Sequence, residues 1–142
     1  MTSERALWNV VRDRLSPFGR LERVENRLNL GTPDVSYALR RPAESRGVSG
    51  WVELKENDPP VRATTPFSIE SLKLEQVRWQ EDWAEIGRVA TILQVRRDYL
   101  VLAPSVVRAV YERLLTTAQL YEAAAVVGRG RFPTGDILRW LT

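Results

Sequence analysis

Three residues stand out for the chemistry their types and spacing allow: Asp34, which directly follows Pro33, and the pair Glu53 and Lys55, which flank Leu54. The chain contains neither cysteine nor histidine, which excludes a zinc finger, a thiol nucleophile and a Ser-His-Asp triad. Catalysis by such a chain must rest on carboxylates, Lys, Arg, hydroxyls and a hard metal ion. Lys55 is conspicuous because only it and Lys73 are lysines among 21 basic residues. The others are arginines, which grip phosphates bidentately and stay protonated. An acid two residues before a lysine is a weak signal by itself, so its meaning depends on the elements that carry it.

Those elements are legible in the hydrophobic alternation. Asp34 to Leu39 places Val35, Tyr37 and Leu39 on one face, and VSGWVELKE places Val52 and Leu54 on one face with Trp51, Glu53 and Lys55 on the other. With the polar stretch RRPAESRG between them, the two segments read as an antiparallel hairpin centred near residue 44. Paired positions then sum to roughly 87 to 89, which sets Asp34 opposite residues 53 to 55, within about 5 Å across the ladder. Two acids and a lysine converge on one patch. Charges on one face of a central strand are costly to desolvate unless they bind something.

Around this hairpin, Leu7, Val11 and Leu15 give a first helix over residues 3–15, stopped by Ser16-Pro17-Phe18-Gly19. RLERVENRL fits an edge strand, and the proline-rich stretch over residues 57–66 is a loop beside the patch. Ile69, Leu72, Gln76, Trp79, Trp83 and Ile86 are spaced as one helical stripe that Gly87 ends. RVATILQV and YLVLA read as two strands about an Arg96-Arg97-Asp98 turn; SVVRAVYERLL and residues 118–127 as helices; and GDILRWL as a last helix capped by Thr134. Length, a 44% apolar fraction and the absence of repeats or linkers fit one mixed α/β domain over residues 1–142. Charges in the first fifteen residues and the lack of a long apolar run argue against a signal peptide or a membrane span, so a cytoplasmic protein without a membrane partner is expected. The net charge of +3 favours a polyanionic partner slightly.

GTPDVSYAL, GWVELKE and LEQVRWQEDWAEIG together resemble the PD-(D/E)xK nuclease superfamily, and most closely the small stand-alone virus-type replication-repair nuclease (VRR-NUC) domains of phages and bacteria. The likeness covers a motif core over roughly residues 20–100, with Arg-Val-Glu-Asn, Gly-x-Pro-Asp, Glu-x-Lys and a helix opening on Gln in order. It implies a restriction-endonuclease-like domain, a central mixed β-sheet flanked by helices, followed by a C-terminal helical extension over about residues 104–142. It also implies a DNA repair nuclease: a Mg²⁺-dependent hydrolase of DNA phosphodiester bonds, with Mn²⁺ able to substitute. Asp34, Glu53 and the Leu54 carbonyl would hold the ion, which polarises the scissile phosphate and lowers the pKa of an attacking water. Lys55 would orient that water and offset charge on the phosphorane.

Other residues keep two readings at this level. Gln76 is either a further site residue facing the ion or a phosphate, or a core amide bonded to nearby backbone. Glu25 is a site acid or a surface strand residue. Glu4 is either the extra carboxylate that family members often take from the first helix or a favourable partner of the helix dipole. Trp51 is a core residue or a platform for an unpaired base. Arg96 with Arg97, and Arg129 with Arg131, are candidate phosphate contacts on two separate loops. Since no base-reading motif is evident, selectivity for branched or junction DNA is expected, and a homodimer suits such two-fold substrates. The rival from another class is a non-catalytic nucleic-acid-binding or assembly module on the same fold. An enzyme acting on small phosphorylated molecules is disfavoured, because no G-x-x-x-x-G-K phosphate loop is present.

Overall fold

Helix α1 (Glu4–Leu15) is capped by the Ser3 hydroxyl, which accepts the Ala6 N–H, and it buries Leu7, Val11 and Leu15, the apolar positions one turn apart. A 3₁₀ turn over Ser16–Phe18 leads into strand β1 (Gly19–Arg23), followed by β2 (Val35–Leu39) and β3 (Val48–Glu56). Helix α2 (Leu74–Ala84) crosses over to β4 (Arg88–Val95), which turns back as β5 (Asp98–Leu102). Then come α3 (Pro104–Tyr111), α4 (Thr117–Ala123), β6 (Val126–Gly128) and α5 (Thr134–Leu141). These elements belong to a computed structural model that describes residues 3–25 and 30–142. The end of the expected first strand, residues 26–28, lies outside the described residues.

The strands form one mixed sheet in the order β1-β2-β3-β4-β5-β6. Every neighbouring pair is antiparallel except β3 and β4, which run parallel because α2 carries the chain back to the sheet's other end. One face packs on α1 and α5 through Val35, Tyr37, Val52, Leu54 and Ile92. The other face packs on α2, α3 and α4 through Leu93, Val95, Leu100 and Leu102. The result is a three-layer α/β domain with the charged face of β3 turned toward α2.

Three expectations change. Helix α2 starts at Leu74, because Lys73 is extended and the Leu72 N–H instead closes a turn onto the Ile69 carbonyl. Ile69 and Leu72 still enter the core, but from the loop after β3, while Ile86 lies past the helix and is exposed. Residues 126 and 127 leave the helix expected there, since the Ala125 N–H joins the Val101 carbonyl and β-branched Val126 and Val127 pair with the open edge of β5. The C-terminal extension therefore contains a strand as well as helices. Thr134 does not cap α5, which follows Pro133 with no side-chain cap.

Tyr37 fastens the sheet to the last helix. Its hydroxyl donates to the Leu141 carbonyl at 2.8 Å, and burial pushes its pKa up to about 12, with Arg88 opposing. The ring lies over Gly50, its register partner, where a Cβ would stand 2.5 Å from the Tyr37 hydroxyl and 2.7 Å from the Arg88 carbonyl. Gly50→Ala should therefore destabilise the protein by about 1–3 kcal/mol, read as a lower urea midpoint at unchanged slope.

Candidate functional site

The register of β2 and β3 pairs Val35 with Val52, the lower end of the expected range, so Asp34 falls opposite Glu53 where the pairing stops. Asp34 replaces the missing strand partner with its side chain: Oδ2 accepts the Leu54 N–H at 3.0 Å. N–H and C=O of one strand residue point the same way, so the Leu54 carbonyl faces that same gap. Asp34 itself is held from both sides. Its carbonyl accepts the Val24 N–H, and the turn before it rests on the first turn of α2, where Gly31 has φ +97° and a Cβ would meet the Glu75 carbonyl at 2.4 Å.

Glu53 is 1% exposed and Lys55 3% exposed, on a strand with neighbours on both sides. The Lys55 ammonium donates to the Ser71 carbonyl at 3.1 Å and lies 3.7 Å from Glu53 and 3.9 Å from Glu4. Glu4 in turn accepts the Ser71 hydroxyl at 3.4 Å. Glu53 Oε2 is buried and has no hydrogen-bond donor. Burial raises the pKa of Glu53 above the carboxylate range; the neighbouring Asp34 carboxyl adds to the shift and Lys55 opposes it. An orphaned buried oxygen beside a second carboxylate is an arrangement that a hard cation would satisfy.

The donor set fits such an ion. Among the described residues no three acidic side chains form a ready-made cage, so Asp34, Glu53, the Leu54 carbonyl and water are the ligands on offer, which suits Mg²⁺, an ion that keeps several waters. Compared with known proteins, the chain matches no family model, no curated protein and no solved structure. The reading of the site rests on its own geometry.

The structure brings together Asp34, Glu53, Leu54 and Lys55, and it adds Glu4 through Lys55 and Ser71. It does not bring in Gln76, whose Oε1 accepts the Lys73 N–H and caps α2. The backbone-bonded reading of Gln76 is the one its contacts support. Glu25 is exposed beyond β1 and takes no part in these contacts. Trp51 meets Trp79 and Trp83 edge-on at 5.5 and 6.2 Å, while those two stack at 5.0 Å, so the half-buried Trp51 clamps α2 onto β3. Ser71 and Gln80 carried no advance signal. Ser71 contributes a backbone carbonyl, and Gln80 is fully buried against Thr91 with bonds of 3.0 and 3.2 Å.

The raised Glu53 pKa gives a stability test. A buried acid whose folded-state pKa exceeds its ordinary value of 4.5 binds more protons folded than unfolded, so its contribution is present below that value and is lost as pH rises toward about 10. Without divalent ions, the wild type should lose stability across this window relative to Glu53→Gln, by up to about 1.4 kcal/mol per pH unit. Thermal melts of both proteins from pH 5 to pH 9 in EDTA measure the difference. Parallel pH profiles would show that Glu53 is not held protonated.

Proposed function

We propose that the protein is a metal-dependent nuclease that hydrolyses phosphodiester bonds of DNA on a restriction-endonuclease-like fold. The observation that carries this reading is the buried Glu53 carboxyl beside Asp34, whose Oε2 has no donor while its Oε1 lies 3.7 Å from the Lys55 ammonium. The mixed sheet between two helical layers and the convergence of Gly-x-Pro-Asp with Glu-x-Lys at one sheet end support the same reading.

Asp34 and Glu53, with the Leu54 carbonyl, hold Mg²⁺ or Mn²⁺. When bound, the ion supplies charge to polarise the scissile phosphate and acidify a water. Lys55 has one of its three donors engaged by the Ser71 carbonyl, and the other two would serve the attacking water and a phosphate oxygen. Glu4 and Glu53 flank the ammonium and keep it in place by opposite charge. Glu4 therefore acts as a positioning residue through Lys55. Branched or junction DNA is the preferred substrate in this proposal.

Incubation with a panel of linear and branched DNAs tests the reading. Cleavage of at least one substrate is expected with Mg²⁺ or Mn²⁺ and none in EDTA; metal-independent cleavage would overturn the mechanism. Asp34→Ala should lower the rate more than about 100-fold while the protein remains folded. A retained rate would remove Asp34 from the site. Lys55→Arg keeps the charge but replaces a compact ammonium with a planar fork, so most of the cleavage rate should disappear with DNA affinity nearly unchanged. Equal rates for Lys55→Arg and wild type would leave Lys55 as a structural ion-pair partner only.

A further inference from the structure

The basic residues that lie on two separate loops in sequence meet at one place in the fold, and a third segment joins them. Arg96 and Arg97 form the turn between β4 and β5, Arg131 follows β6, and Arg14 comes from the last turn of α1; all four line one cleft of about 620 Å³. The acid on its wall, Asp13, is already paired with Arg12 at 3.4 Å. Among the described residues none of the four arginines takes part in an ion pair. Four exposed guanidiniums and one acid around a single cleft concentrate positive charge in a chain whose net charge is only +3.

The backbone is built to keep them there. Arg96 adopts φ +55°, a left-handed conformation costly for a side chain of its kind, and its carbonyl accepts the Gln94 amide at 3.0 Å. Asp98, next along the hairpin, accepts the Gly130 N–H at 2.9 Å and the Tyr121 hydroxyl at 2.6 Å, tying the loop after β6 to the hairpin. Gly130 makes the bend at φ +69°. Arg129 is directed elsewhere: its guanidinium stacks over Tyr121 at 4.8 Å. The loop therefore divides its arginines, one packed on an aromatic ring and one committed to the cleft.

We propose that this cleft is a phosphate cradle that grips the backbone of a nucleic acid, separate from the carboxylate site. Its position selects a polymer over a small anion. Lys55 pairs with Leu93, three residues before Arg96, so the cleft and the carboxylates share one end of the sheet. They lie on opposite faces, because Gln94 and Tyr99 alternate with Leu93 and Leu100 and join the α1 side. A chain of phosphates passing over that end of the sheet reaches both, and guanidinium forks match its oxygens bidentately. The choice of nucleic acid as the partner rests on the function proposed above; the gathering of positive charge at the cleft does not.

Binding of a labelled short duplex DNA, followed by fluorescence anisotropy in EDTA across a salt series, tests the proposal without reading cleavage. Arg96→Asn with Arg131→Gln suits the test, since asparagine tolerates the left-handed φ, and Arg14→Gln with Arg97→Gln is a second, independent pair. Each double variant should bind at least about tenfold more weakly at low salt, with the slope of log K against log salt shallower by about 2, roughly 0.9 for each phosphate no longer neutralised. Arg129→Gln should change neither. An unchanged slope in both double variants overturns the cradle, as does absence of DNA binding by the wild type. Competition by polyglutamate as strong as by unlabelled DNA also overturns it, because any polyanion would then serve. Cleavage that persists with an unchanged slope removes the cradle alone, whereas DNA binding through these arginines without cleavage under any ion removes the nuclease reading and leaves the cradle.

Discussion

The Asp34 carboxylate accepts the Leu54 N–H at 3.0 Å, and the candidate site depends on that bond. It terminates the β2–β3 pairing with a side chain instead of a further pair of backbone groups, so β3 runs on past its neighbour toward Glu56. The Leu54 carbonyl faces the same side as that bonded N–H, and Glu53 and Lys55 project from the same stretch toward α2. The loop over residues 57–73 then closes over the end of the strand, pinned by the Asn57 side chain to the Glu70 N–H and by the Phe67 N–H to the Leu115 carbonyl. Through Ser71 this loop receives the Lys55 ammonium and contacts Glu4 of α1. Elements from both helical layers thus converge on the end of one strand.

Glu53 is informative because its neighbour shows how this fold satisfies a buried polar group. Thr91 is the register partner of Glu53 on β4, and it exchanges two hydrogen bonds with Gln80, both residues fully buried. That pair is neutral and self-sufficient. One strand away, Glu53 carries an ionisable group with an oxygen that no donor reaches, beside a second acid. A buried carboxyl with one oxygen left without a donor costs more than a hydrophobic replacement of similar size would. Among the described residues this oxygen is the buried side-chain polar atom left without a partner, and a bound cation would satisfy it.

The same contrast separates lysine from arginine. Lys55 is buried where a compact ammonium fits between two carboxylates and a carbonyl, and a planar guanidinium would need a wider opening. The arginines of the cleft are exposed and come from the last turn of α1 and from a hairpin and a loop that Asp98 locks together. A chain with two lysines among its 21 basic residues places one of them between two carboxylates and a carbonyl.

Much of this was readable from residue order alone. The alternation of Val35, Tyr37 and Leu39 against Val52 and Leu54 determined the hairpin and its register to within two positions, which was enough to set Asp34 against Glu53. Local periodicity sufficed there because a hairpin is short-range and one face is buried. The helical stripe misled at Ile69 and Leu72, since burial at a spacing of three or four can come from a looped segment that passes into a core. The role of Gln76 was decided by where α2 begins, which depends on how Lys73 leaves the loop. Residues 126–128 became a strand because β5 offered an open edge, a partner distant in sequence. The meeting of Glu4 with Lys55, and of Arg14 with Arg96, Arg97 and Arg131, likewise arises only when segments far apart in the chain pack on one sheet. Sequence patterns report local periodicity and neighbouring strands; contacts between layers depend on the relative placement of whole elements, which no single segment encodes.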